Sequence, residues 1–144
     1  MTRILLDIWC TSNTYYLDDM SLRGLRGGAA NCQLLDNGDF EMYNPADSTF
    51  NSWTYFNQNG GSSFGVATGD NAYDGNSALR AINAGGIARW GLQVGTPAFP
   101  TVNGQTATLN MWIKARVPNA NFIQFSTRDG NAAVEGQYTN SPAG

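Results

Sequence analysis

Thr106-Ala107-Thr108-Leu109-Asn110-Met111-Trp112-Ile113-Lys114-Ala115-Arg116-Val117 alternates apolar and polar residues along its whole length. Ala107, Leu109, Met111, Ile113 and Ala115 fall on one side, and Thr108, Asn110, Trp112, Lys114 and Arg116 on the other. A period of two held this long is the mark of a β-strand with one face on a core and one toward solvent. Reading outward, Asn121–Arg128 alternates again, with Ile123, Phe125 and Thr127 set against Phe122, Gln124, Ser126 and Arg128. The tail beyond is weakly strand-like around Val134–Tyr138. Upstream, Gly86–Val94 places Ile87, Arg89, Gly91 and Gln93 opposite Ala88, Trp90, Leu92 and Val94. Leu34–Met42, Trp53–Phe56, Ser63–Thr68 and Asn76–Asn83 are further short strands, each bounded by Gly, Asn or Asp. At the front, Arg3–Thr11 puts Ile4, Leu6, Ile8 and Cys10 on one face. Thr14–Leu22 puts Tyr16, Met20 and Leu22 on one face with Asp18 among them, and its natural place is as hairpin partner of the first strand. Arg23–Gln33, rich in Gly and Ala, has no periodicity and is expected to be a linker.

Short strands spaced by turn residues predict an all-β sandwich, and 144 residues suffice for one domain with a real core. The expected organisation is a closing hairpin at residues 1–22, a linker at 23–33 and a main body at 34–144. A net charge of −3 without a basic cluster offers no footprint for nucleic acid or an anionic membrane. No apolar run reaches membrane-spanning length, and Met1-Thr2-Arg3 ahead of Ile4-Leu5-Leu6-Asp7 is too short for a signal peptide. Cys10 and Cys32 allow either one disulfide or two buried thiols, and without histidine they do not make a zinc site.

Four stretches carry a resemblance to a known family: Leu34-Leu35-Asp36-Asn37-Gly38-Asp39-Phe40-Glu41, Ser52-Trp53-Thr54, Ala72-Tyr73-Asp74-Gly75-Asn76-Ser77-Ala78-Leu79, and Thr108-Leu109-Asn110-Met111-Trp112-Ile113-Lys114-Ala115. Together they resemble the carbohydrate-binding modules of the family 4, 9 and 22 type, which are jelly-roll sandwiches. Tyr15-Tyr16-Leu17-Asp18-Asp19-Met20-Ser21-Leu22 is similar to the strand that closes such modules, yet here it stands at the front. The jelly roll is therefore expected to be permuted, cut across a tandem junction, or completed by strand exchange between copies. The resemblance also implies a structural calcium joining Glu41 to Asp18, with help near Asp39 and Asn76; oxygen ligands of this kind suit a hard ion.

No histidine, nucleophile elbow or phosphate loop is present, so triads and His-based metal catalysis are excluded and no catalytic residue is expected. Sugar recognition needs an exposed ring for stacking and planar or charged groups for hydroxyls. Trp112 is the leading ring, with Asn110 and Lys114 beside it; Arg89, Gln93 and Gln124 share its outward parity, and Trp9 and Asp7 join if the front strand returns to that sheet. Trp53 and Trp90 are expected in the core, and Tyr15, Tyr43, Tyr55 and Phe56 along loops. Two functions follow from these features. One is a non-catalytic, extracellular module that binds a polysaccharide. The other is a structural subunit of a filament or virus particle whose copies associate through the N-terminal hairpin.

Overall fold

A computed structural model describes residues 2–8, 12–57, 61–85, 91–117, 122–129 and 139–142, the last two segments as backbone. Twelve strands account for most of them: β1 (Thr2–Ile8), β2 (Asn13–Arg26), β3 (Ala29–Gln33), β4 (Tyr43–Asn44), β5 (Thr49–Phe50), β6 (Thr54–Asn57), β7 (Ser63–Thr68), β8 (Ser77–Asn83), β9 (Leu92–Gly95), β10 (Thr108–Ala115), β11 (Phe122–Asp129) and β12 (Thr139–Pro142). One 3-10 turn, Gly69–Asn71, precedes β8. Among the described residues no helix is long and apolar enough to cross a membrane.

The strands form an all-β sandwich. The first sheet has the order β12-β11-β1-β9-β6, and the second β10-β2-β8-β7 with β3 also on β2. All the pairings within them are antiparallel. Between the sheets lie Ile4, Leu6 and Ile8 of β1, Leu92 and Val94 of β9, Tyr15, Leu17, Met20 and Leu22 of β2, and Leu79 and Ala81 of β8, all buried in one cluster. Both sheets turn one side to this core, as the alternation along their strands requires. Tyr15, expected on a loop, is fully buried in this core.

The front of the chain departs from the expected hairpin. β1 and β2 do not pair with each other; β1 sits between β11 and β9 in the first sheet, and β2 between β10 and β8 in the second. Each is thus an interior strand paired within its own chain. Residues 23–33 are not a linker, because β2 runs on to Arg26 and folds back through Gly27-Gly28, both at positive φ, into β3. A two-glycine turn between pairing strands is a hairpin signal, and the alanines around it hide the alternation.

Leu34–Met42, expected as a strand, is a set of turns stitched by Asn37. Its Nδ2 donates to the carbonyls of Met42 at 2.7 Å and Asn51 at 3.2 Å, and its Oδ1 accepts from Met42 N at 3.0 Å. Trp53 is in the core as expected, 6% exposed, with Nε1 donating to the Asn37 carbonyl at 3.0 Å and its ring 4.6 Å from Phe40. This segment lies against β2, since Met20 N donates to the Gly38 carbonyl and Leu34 N to the Leu22 carbonyl. A Cβ at position 38 would collide with the Met20 carbonyl oxygen, so only glycine permits that approach. Cys32 is a free, half-buried thiol, whereas Cys10 and Trp90 lie outside the described residues.

Candidate functional site

The site forms on the outer face of the second sheet, where a bulge in β2 decides which side chains are present. Asn110 of β10 pairs with Ser21 and Trp112 with Asp18, so two steps on β10 span three on β2. The extra residue is Asp19, at φ 47°. Upstream of it Tyr15 and Leu17 point inward; downstream Met20 and Leu22 do. Asp18 is therefore not on the core face with Met20 and Leu22, as a continuous period of two requires. It lies on the outer face with Tyr16, directly across from Trp112 and Lys114.

The loop between β7 and β8 folds down over these residues and is held from three sides. Asp18 Oδ2 accepts from the backbone N–H groups of Tyr73 at 2.7 Å and Asp74 at 3.0 Å, while its Oδ1 accepts from Asp19 N at 2.7 Å. Glu41 Oε1 accepts from Asn76 N at 2.8 Å and Ser77 N at 3.0 Å. Gly75, at φ 65°, has no room for a Cβ because the Glu41 carboxylate fills that space. Lys114 Nζ reaches Asn71 Oδ1 at 3.2 Å and stands 5.8 Å from the centre of the Tyr16 ring. Thus held, the loop lays the Tyr73 ring on Trp112, with centroids 3.6 Å apart and planes inclined by 19°.

Asp18 is 2% exposed, and burial raises its carboxyl above the ordinary 3.8, while the N–H groups of Asp74, Asp19 and Tyr73 pull in the opposite direction. The two stacked rings remain half in solvent, Tyr73 at 54% and Trp112 at 50% exposed. Beside them opens a cleft of about 390 Å³, walled by Tyr16, Asp18, Ala72 and Ile113 as well as the two rings, with Asp70, Asn71 and Lys114 at its polar end. A flat aromatic surface bordered by an amide, a carboxylate and an ammonium is the donor and acceptor set for a polyhydroxylated ring.

Of the residues expected to recognise sugar, the structure brings together Trp112 and Lys114, with Asn110 exposed on the same strand. It separates the others. Gln93 is on β9 and Gln124 on β11, both strands of the opposite sheet, because shared parity says which side a residue faces and not which sheet it belongs to. There the Gln93 amide donates to the buried Asp7 carboxylate at 2.5 Å, and Asp7 lies in register with Gln124. Arg89 and Trp9 lie outside the described residues. Tyr73, Tyr16 and Asn71 were not expected. Tyr73 carries a readable signal, an aromatic in a Gly/Asn/Asp-rich loop with no core period to serve, whereas Tyr16 is hidden by the bulge.

Of the four residues expected around calcium, Asp18 stands on β2, Asp39 and Glu41 on the turns before β4, and Asn76 on the loop before β8. Asn76 Nδ2 reaches Glu41 Oε2 at 3.5 Å, and Asp39 Oδ1 accepts from Glu41 N at 3.5 Å. Backbone N–H groups, rather than converging oxygens, face Asp18 and Glu41, and among the described residues no group of three or more His, Cys, Asp or Glu gathers. These hydrogen bonds account for the burial of Asp18 without a cation. No known protein family, curated protein or solved structure matches the chain.

Proposed function

We propose that this chain is a non-catalytic polysaccharide-binding module, a jelly roll with permuted strand order that works outside the cell and reads sugar on the outer face of the second sheet. The exposed Tyr73–Trp112 stack, fixed in place over a cleft with Asp18, Asn71 and Lys114, carries this reading. Stacking a pyranose on the free ring face buries apolar C–H surface, and a loop already pinned adds little ordering cost on binding. Assembly by exchange of the front strands has less motive, since β1 and β2 both find partners within the chain.

Affinity electrophoresis in gels carrying soluble β-glucans, xylans or mannans tests the proposal. Wild-type protein is retarded by at least one of them, and Trp112→Ala and Tyr73→Ala each abolish the retardation. The thermal midpoint falls only slightly in these variants, since an aromatic pair at the surface contributes about 1 kcal/mol. Unretarded wild-type protein across a broad panel removes the reading. A calcium ion at Glu41 and Asp18 is a separate proposal, which would have to use the lone pairs the loop leaves over. A midpoint several degrees lower in chelator, restored by calcium, supports it; an unchanged midpoint removes it.

A further inference from the structure

We propose that two copies of this chain pair edge to edge through β10, forming a two-fold dimer in which the two aromatic platforms adjoin. Among the described residues β10 pairs with β2 alone and is the outermost strand of its sheet. Its inward residues Leu109, Met111, Ile113 and Ala115 pack against the core yet stay only partly buried, as expected where a sheet stops one strand short.

The free edge can be assigned residue by residue. Arg116 N donates to the Thr14 carbonyl, so in an antiparallel ladder the even-numbered residues of β10 bond to β2. Leu22, the partner of Leu109, turns its own N–H to Gln33 Oε1 and its carbonyl to Leu34 N, away from β10. The N–H and C=O groups of Leu109, Met111, Ile113 and Ala115 therefore point outward along the edge. The bulge belongs to β2, so β10 itself is regular and nothing in its own backbone blunts the edge.

The strand is complementary to itself. With Trp112 on the two-fold axis, Leu109 faces Ala115 of the other copy and Met111 faces Ile113, extending the apolar layer. Asn110 faces Lys114, and no like charges oppose each other. This register uses all four outward-pointing residues, so a second copy is the occupant the edge fits. It places the two Trp112 side chains about 4.5–5.5 Å apart at Cβ on the outer face, next to each other's sites. The pairing itself does not depend on sugar recognition.

Sedimentation velocity on the intact chain over a wide concentration range tests the dimer. Wild-type protein shows a concentration-dependent monomer–dimer equilibrium. Asn110→Lys, at an exposed position facing Lys114 of the other copy, weakens it roughly tenfold through two symmetric like-charge contacts, and Asn110→Glu tightens it. Ala115→Pro, which removes an edge N–H that β2 does not use, also weakens it. Far-UV circular dichroism verifies that each variant is folded. A strict monomer at the highest attainable concentration overturns the proposal, as does a dimer indifferent to the charge at position 110.

Discussion

Asp18 is the residue on which the candidate site turns. Its carboxylate is almost fully buried, yet it holds the loop that presents Tyr73 by accepting two of that loop's N–H groups. Burial is the larger influence on its titration and raises the folded-state value above the unfolded 3.8. Between those two values the native state binds more protons than the unfolded chain, so stability falls as pH rises. The contribution of the protonated form is complete below 3.8 and is lost as pH climbs through the raised folded value. Replacing Asp18 by Asn should remove that slope. Urea denaturation of both proteins at a series of pH values from about 3 to 7 gives the difference directly, because the remaining carboxylates titrate alike in each. A difference that does not change with pH would mean that Asp18 titrates in the native state as it does unfolded. The same variant should also lower binding at neutral pH, since an amide cannot accept from three N–H groups through two oxygens.

At the scale of the element, one extra residue in β2 decides what the outer face contains. Asp19 stands in the left-handed region at φ 47°, a conformation Asp tolerates and a β-branched residue does not. Asp19→Val should therefore destabilise the fold by about 1–2 kcal/mol. Asp19→Gly should stay within roughly 1 kcal/mol of wild type, because the Asp18 carboxylate needs only the backbone N–H at position 19. Equal loss in both variants, measured by urea denaturation, would mean that the side chain of Asp19 rather than its backbone matters. The bulge also marks the limit of what alternation reveals. β10 is legible residue by residue because it is regular, and Trp112 and Lys114 are exposed on it as its alternation predicts. β2 was legible as a strand and misleading in phase, since a period of two carried through Asp19 turns Tyr16 and Asp18 toward the core. Gln93 and Gln124 show a different limit: parity contains no information about which sheet a strand joins, and β9 and β11 belong to the sheet opposite β10. The leucines and Phe40 around Asn37 predict a strand, whereas its side chain ties turns together through contacts made after the chain folds back.

For the whole molecule, the sandwich was predictable from composition and spacing, while the role of its first 26 residues was not. Backbone hydrogen bonds from Met20 N to the Gly38 carbonyl and from Leu34 N to the Leu22 carbonyl join β2 to residues 34–41. What the linear order could not show is that β1 and β2 part company, each becoming an interior strand of a different sheet. β1 must find β11, with Ile4 in register with Thr127, so the first strand can lock only after nearly the whole chain has been gathered. Such sequence separation makes folding slow compared with sheets built from neighbours. It also makes the front segment indispensable. Ile4, Leu6, Ile8, Tyr15, Leu17, Met20 and Leu22 are all buried in the common core. At about 1.5–3 kcal/mol for each large apolar side chain, their burial matches the whole stability of an ordinary domain, roughly 5–15 kcal/mol. A chain lacking residues 1–26 should therefore show no cooperative thermal transition and no near-ultraviolet circular dichroism, whereas removal of an appended hairpin would leave a folded remainder. The comparison is made by calorimetry on the shortened chain beside the intact one. A cooperative transition in the shortened chain would show that the two sheets can close without their central strands, and would return the front segment to the status of a separable part.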